Sequence, residues 1–188
     1  TTLTQLSTIE GFVGSTPTYT QVTGTGSEMG TTNLSTAAKL NGKTLTITAG
    51  GTATATEYRQ AITNAGAGSV SGVVSETASA KLATGTAALT GATSITLVVQ
   101  NSDKDFTGTT FLSNVDFNLN GKSDVLFNID DVDGRTITAN GGDYIIKDTR
   151  QNIVDASANN GTNATDESQF IKLYGAKEIQ ITDYSKGD

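Results

Sequence analysis

The sequence predicts a β-rich chain with short helices between its strands, arranged as a solenoid-like or mixed-sheet α/β repeat, with a β-sandwich as the alternative. Three observations predict it. Thr, Ser and Gly supply 34, 15 and 21 of the 188 residues, a mixture of strand formers and turn formers. Strand-like segments in 44–99 recur every 20–25 residues with helical stretches between them, a spacing that suits parallel crossovers. Segments around 115–129 alternate apolar and polar residues, as half-buried strands do.

The elements follow in order. Residues 1–33 read as an extended, loop-rich arm, because Gly14, Pro17, Gly24, Gly26 and Gly30 interrupt any long element. Thr44–Thr48 is a half-buried strand with Leu45 and Ile47 on one face. Thr54 followed by Glu57 matches a capping box and opens a helix through Ala65, which Gly66 and Gly68 end. Ser69–Ser75 is a strand, Thr77–Leu89 a helix with Ala78, Leu82 and Leu89 on one face, and Gly91–Val99 a strand. Val115, Phe117 and Leu119 alternate with polar residues, as do Val125, Phe127 and Ile129. Asn120-Gly121 between them signals a hairpin. A three-residue loop through Lys122 pairs Phe117 with Val125, the register that keeps one face apolar. Arg135–Thr138 and Tyr144–Lys147 are further strands, with a helix from Thr149, a polar loop over 159–168, a helical turn at Gln169–Tyr174 and a last strand at Glu178–Thr182.

Charge divides the chain. Residues 1–100 carry four acids and four bases, whereas 101–188 carry fifteen acids, thirteen of them Asp, against eight bases. The expected organisation is therefore the arm 1–33, a Thr/Ala/Gly-rich β-α-β region 34–100 and an Asp/Asn-rich region 101–188. With no His and no Cys, the chain lacks the residues of Ser-His-Asp and Cys-His nucleophilic sites, ordinary zinc sites and thiol chemistry. A net charge of −7 with three Arg argues against a phosphate-backbone partner, so nucleic acid is excluded. No apolar run approaches the length of a membrane-spanning helix.

Two segments repeat. Val73-Val74-Ser75-Glu76-Thr77 precedes Gly91-Ala92-Thr93-Ser94-Ile95, and Ile145-Ile146-Lys147-Asp148-Thr149 precedes Gly175-Ala176-Lys177-Glu178-Ile179. Both read strand, acid-Thr, helix, Gly-Ala, strand, with about a dozen extra residues in the second copy, placed in the polar run 158–167. Acid-Thr is a helix N-terminal signal, and Gly-Ala permits a tight return to the sheet.

The second copy, with Asp148-Thr149 followed by Asn152 and closing Ile179-Gln180-Ile181-Thr182-Asp183, resembles the repeats of large secreted bacterial surface proteins of the S-layer-like, haemolysin-like and RTX-adhesin kind. The resemblance covers 69–98 and 143–183. It implies an extracellular, non-enzymatic, repeat-built protein, often calcium-dependent, and it transfers no catalytic residue. The Gly-Gly-x-Gly-x-Asp arrays of RTX proteins are missing from the sequence.

Asp116, Asn118, Asn120 and Asp124 around Gly121 set oxygen ligands at alternate positions, a pattern that suits calcium. A bulged hairpin presenting the same residues to solvent is the competing account. Asp130, Asp131 and Asp133 form a second acidic knot, read as a second calcium position or a solvated turn. Along an extended strand Asp124 and Asp130 lie roughly 20 Å apart, so they cannot share one ion. Asp130 and Asp131 also resemble a glycosidase pair, but without Trp for sugar stacking the hydrolase reading is set aside. The expected function is a secreted structural protein that self-assembles into a layer or filament, its partners being copies of itself. The alternative is a calcium-stabilised module of a large adhesin that binds a cell-surface glycan or peptide.

Overall fold

The computed structural model describes residues 2–3, 5–6, 8–9, 18–33, 38–48, 52–158 and 164–183, with the backbone alone for 164–168. It has mixed α/β content, and every described pairing between its strands is parallel. The chain divides into two compact units, residues 1–76 with 85–95 and residues 77–84 with 96–188.

In the first unit β1 (Gln21–Gly24), β2 (Thr44–Ile47), β3 (Ser69–Glu76) and the start of β4 (Ala92–Val98) lie side by side in chain order. Register aligns Val22, Leu45 and Val70, all buried, so one apolar ladder crosses the sheet. Strand β1 occupies part of the expected arm, and its Val22 is fully buried. Helix α1 (Gly26–Met29) follows β1 and helix α2 (Ala55–Ala65) precedes β3. Each opens with a capping box, Thr25 with Glu28 and Thr54 with Glu57. The second was expected, whereas the first stands among glycines that read as breakers. Asn64 ties the helices together, its amide donating to the carbonyls of Met29 and Thr31 at 2.8 Å each. Tyr58, fully buried, donates to the Val70 carbonyl, and burial pushes its pKa up to about 12, so it remains a donor.

In the second unit the end of β4, β5 (Val115–Asn118) and β7 (Ile137–Thr138) form one stack, and β6 (Val125–Phe127), β8 (Tyr144–Asp148) and β9 (Glu178–Ile181) form another. Three tight turns mark the corners, with i→i+3 bonds from Asp103 to Gln100, Lys122 to Leu119 and Gly142 to Ala139. The last two carry Asn120-Gly121 and Asn140-Gly141, all four with positive φ, the conformation Asn-Gly adopts at least cost.

The expected hairpin does not form. Phe117 pairs with Ile137 and Val125 with Tyr144, both in parallel. The Asn-Gly turn sends the chain round a corner instead of back on itself. Each strand then finds a matching apolar face about 20 residues further on. Phe106, Phe111, Phe117 and Phe127 fill the space enclosed, with ring centroids 4.7–6.4 Å apart, spacings typical of favourable aromatic pairs.

Two helices differ from expectation. The one expected over 77–89 is only a 3-10 turn at Ser79–Lys81, because Leu82 and Thr84 bond instead to Leu112 and Thr110 and Gly85 turns at φ +90°. Helix α4 (Arg150–Ala158) stands where expected, whereas α5 (Ala164–Gly175) starts five residues before the expected turn. The rest of the expected polar loop, 159–163, lies outside the described residues.

Both Gly-Ala steps are tight. A Cβ on Gly175 would come 2.7 Å from the Tyr144 hydroxyl, and one on Gly91, at φ +83°, would strike the Val70 carbonyl oxygen. Gly91→Ala should therefore cost more than ~1 kcal/mol in chemical denaturation, whereas Gly108→Ala, with open space around it, should stay within ~0.5 kcal/mol.

Candidate functional site

Strand ends, where polar side chains gather, are the place to look for chemistry. The first turn of every helix leaves amide donors without intrahelical partners. Helix α2 satisfies two with its capping box, Thr54 N–H donating to Glu57 at 2.8 Å and Glu57 N–H to Thr54 at 3.2 Å. Of the two that remain, at Ala55 and Thr56, Glu76 at the end of β3 accepts the Ala55 amide at 3.1 Å.

The same device recurs. Asp148, at the end of β8, accepts the Ile129 amide that opens α3 (Ile129–Val132) at 3.0 Å. Asp183, just past β9, accepts the Arg150 amide that opens α4 at 2.7 Å. Asp103 accepts the Ser79 amide that opens the 3-10 turn at 3.0 Å. In three of the four the acid ends a strand or lies just past one, and Asp103 stands in the turn after β4; each closes a helical segment that began 19–33 residues earlier.

Asp148 is the most fully used. Only 4% exposed, it also accepts from its neighbour Thr149 N–H and from the Asn152 amide, each at 2.7 Å. The Thr149 hydroxyl in turn accepts Asn152 N–H at 3.3 Å. The Asp-Thr-x-x-Asn pattern is thus one hydrogen-bonded unit that caps its own helix and the one before it. In the first copy Ala80 stands where Asn152 does, and Glu76 reaches back with a longer side chain.

The seven residues expected to ligate calcium are spread along the second unit. Asp116 accepts Thr136 N–H at 2.8 Å. Asn118 accepts the Asn120 backbone at 2.9 Å and the Asn140 side chain at 2.8 Å. Asn120 is at the exposed corner, its side chain directed at the Val99 carbonyl. Asp124 accepts Lys177 Nζ at 2.6 Å, and its own amide donates to Asp143 at 2.7 Å. Most of these bonds join residues about 20 apart, one repeat to the next. Asp130 accepts the Gln169 amide at 3.1 Å. No group of three or more acidic side chains among the described residues is arranged to hold a metal ion.

Asp131 and Asp133 stand differently. Burial pushes the Asp131 carboxyl up to about 6, helped by Asp130 and Asp148 and opposed by Arg135. Arg135 is held over the Phe111 and Phe117 rings, 5.9 Å from each centroid, and donates to the carbonyls of Leu112 and Val115. Asp133 Oδ1 and Asn128 Oδ1 are buried without a hydrogen-bond partner.

The acids at strand ends were the residues that sequence reasoning missed as a set. Their signal is an acid directly after an alternating strand, about 20 residues beyond a helix start. No helix among the described residues is long and apolar enough to cross a membrane. No protein-family model matches the chain, and searches of curated proteins and of solved structures found no match.

Asp148→Ala strands a buried amide and removes three charge-assisted bonds, so it should lower unfolding free energy by about 3 kcal/mol or more. Asp183→Ala, at an exposed carboxylate, should cost under ~1 kcal/mol by the same denaturant titration. The raised Asp131 carboxyl opposes folding once ionised, so its contribution is intact below about pH 4 and lost as pH rises through about 6. Asp131→Asn should therefore melt above the parent chain at pH 7.5 and level with it at pH 4.

Proposed function

We propose that this chain is a secreted bacterial surface or extracellular structural protein, or a module of one, built as a solenoid and working by self-assembly into a layer or filament. One observation carries this reading. Strands pair in parallel, acid-to-helix bonds link strand ends to earlier helix starts, and the sheet β6-β8-β9 ends on a strand with no described neighbour on its far side, β9. Its Ile179 and Ile181 are 43% and 41% exposed. An uncovered strand edge is a template for further pairing. The resemblance of residues 69–98 and 143–183 to secreted surface-protein repeats, the acidity and the absence of His and Cys agree with it. On this reading the chain is not an enzyme.

The second reading is a calcium-stabilised ligand-binding module of a large adhesin. The unpartnered acceptors of Asn128 and Asp133, beside Asp130 and Asp131, favour it. An ion bound only by the folded chain stabilises it by roughly 2.7 kcal/mol at a hundredfold excess over Kd.

Electron microscopy of the purified chain, with millimolar calcium and with a chelator, separates the two. Sheets or filaments in either condition are the expected result. A monomer throughout, with calcium raising the melting temperature and a glycan or peptide retained, would establish the second reading instead. Glycoside cleavage lost on Asp130→Ala or Asp131→Ala would overturn both.

A further inference from the structure

Strand β8 is buried on both faces, but β9 beside it is not. Register aligns Phe127, Ile146 and Ile179, so a ladder that is fully buried at its first two rungs is 43% exposed at the third. Ile171 and Tyr174, on the last turns of the helix leading into β9, are 55% and 88% exposed. Lys177 N–H donates to the Tyr144 carbonyl at 2.9 Å. Thr182 N–H donates to the Asp148 carbonyl at 2.9 Å, and alternation back from there through the register turns the main-chain groups of Ile179 and Ile181 away from β8.

We infer that β9 pairs with β9 of a second copy of this chain, antiparallel about a two-fold axis at Gln180. This inference rests on the self-assembly reading and names one contact of the assembly. The sequence of the strand is self-complementary in that register. Gln180 faces Gln180 as a non-hydrogen-bonded pair, and the outward N–H and C=O of Ile179 bond to those of Ile181 in the other copy. Ile179 faces Ile181 on the same side of the new sheet, twice. Lys177 faces Asp183, twice. Shifting the axis by half a residue sets Ile179 against Gln180 and Lys177 against Thr182, which discards both matches.

The contributions are unequal. Lys177 already faces Asp124 at 2.6 Å and Asp143 at 3.5 Å and is half exposed, and Asp183 is committed to the Arg150 amide. Such a rim ion pair contributes little affinity. Main-chain bonding and burial of the four isoleucines hold the pair together, while the charges fix its register. An isologous contact of this kind is closed.

The absence of cysteine makes the test direct. Opposed residues of a non-hydrogen-bonded antiparallel pair have Cα atoms about 4.5 Å apart, within disulfide reach. Gln180→Cys should therefore cross-link to a dimer under mild oxidation. Ser157→Cys, exposed on α4, should not. In sedimentation velocity, Ile179→Lys with Ile181→Lys should raise the dimer dissociation constant at least about tenfold, with the melting temperature of the monomer retained. Association that persists in the double variant, with no Gln180→Cys cross-link, would overturn the β9 contact and leave the assembly reading standing. A parent chain that stays monomeric at every concentration would overturn both.

Discussion

A carboxylate at or beyond the end of one strand accepts the first amide of a helical segment that began 19–33 residues earlier, and within each unit that bond ties strand to helix. Glu76, Asp103, Asp148 and Asp183 each make it. A helix N-terminus in a packed interior needs an acceptor for its free amides, and a carboxylate there also meets the positive end of the helix dipole. Because acid and amide lie 19–33 residues apart in sequence, the bond holds a strand end against an earlier helix start. Asp148 shows what full use looks like, with both oxygens engaged and almost no exposure.

The acid-rich composition of residues 101–188 follows from the same requirement. Asp116 to Thr136, Asn118 to Asn140 and Asp124 to Asp143 are side-chain rungs between successive repeats. The Asp116 and Asp143 carboxylates satisfy the backbone amides of Thr136 and Asp124 where the chain turns corners, and the Asn118 side-chain oxygen accepts the Asn140 side-chain amide. Asp131 is the exception that carries a cost, since burial disfavours its charge and Arg135 compensates only in part. In the first unit the load shifts to capping boxes and close-packed glycines such as Gly26, where a Cβ would come 2.5 Å from the Ala53 backbone.

Local signals were legible wherever local chemistry decided the outcome. The Thr54–Glu57 box placed α2, the alternation at 44–48 and 69–75 placed β2 and β3, and the 20–25-residue spacing in 44–99 anticipated parallel pairing. Alternation could not say which strand Val115–Asn118 would meet. Asn120-Gly121 favours a hairpin and serves equally as a corner, and only the matching faces of Ile137 and Tyr144 decide between them. The acid-Thr pair was read as opening its own helix. Thr149 does so, while the acid reaches to a helix start that no local window contains.

Among the expected calcium ligands, Asp116, Asn118 and Asp124 are legible in hindsight as rungs, because their partners lie one repeat away. The Asp116 oxygen accepts a backbone amide, Asn118 accepts one backbone and one side-chain amide, and Asp124 accepts the Lys177 ammonium.

Native-state hydrogen exchange at the Ile129 amide tests the coupling of repeats most directly. In Asp148→Asn the account predicts that this amide exchanges at least about tenfold faster, the loss of one charged hydrogen bond, while the Ala55 amide, held by Glu76, keeps its protection. Unchanged exchange at Ile129, or an equal loss at both amides, would contradict the claim that each strand-end acid secures the helix of the repeat before it.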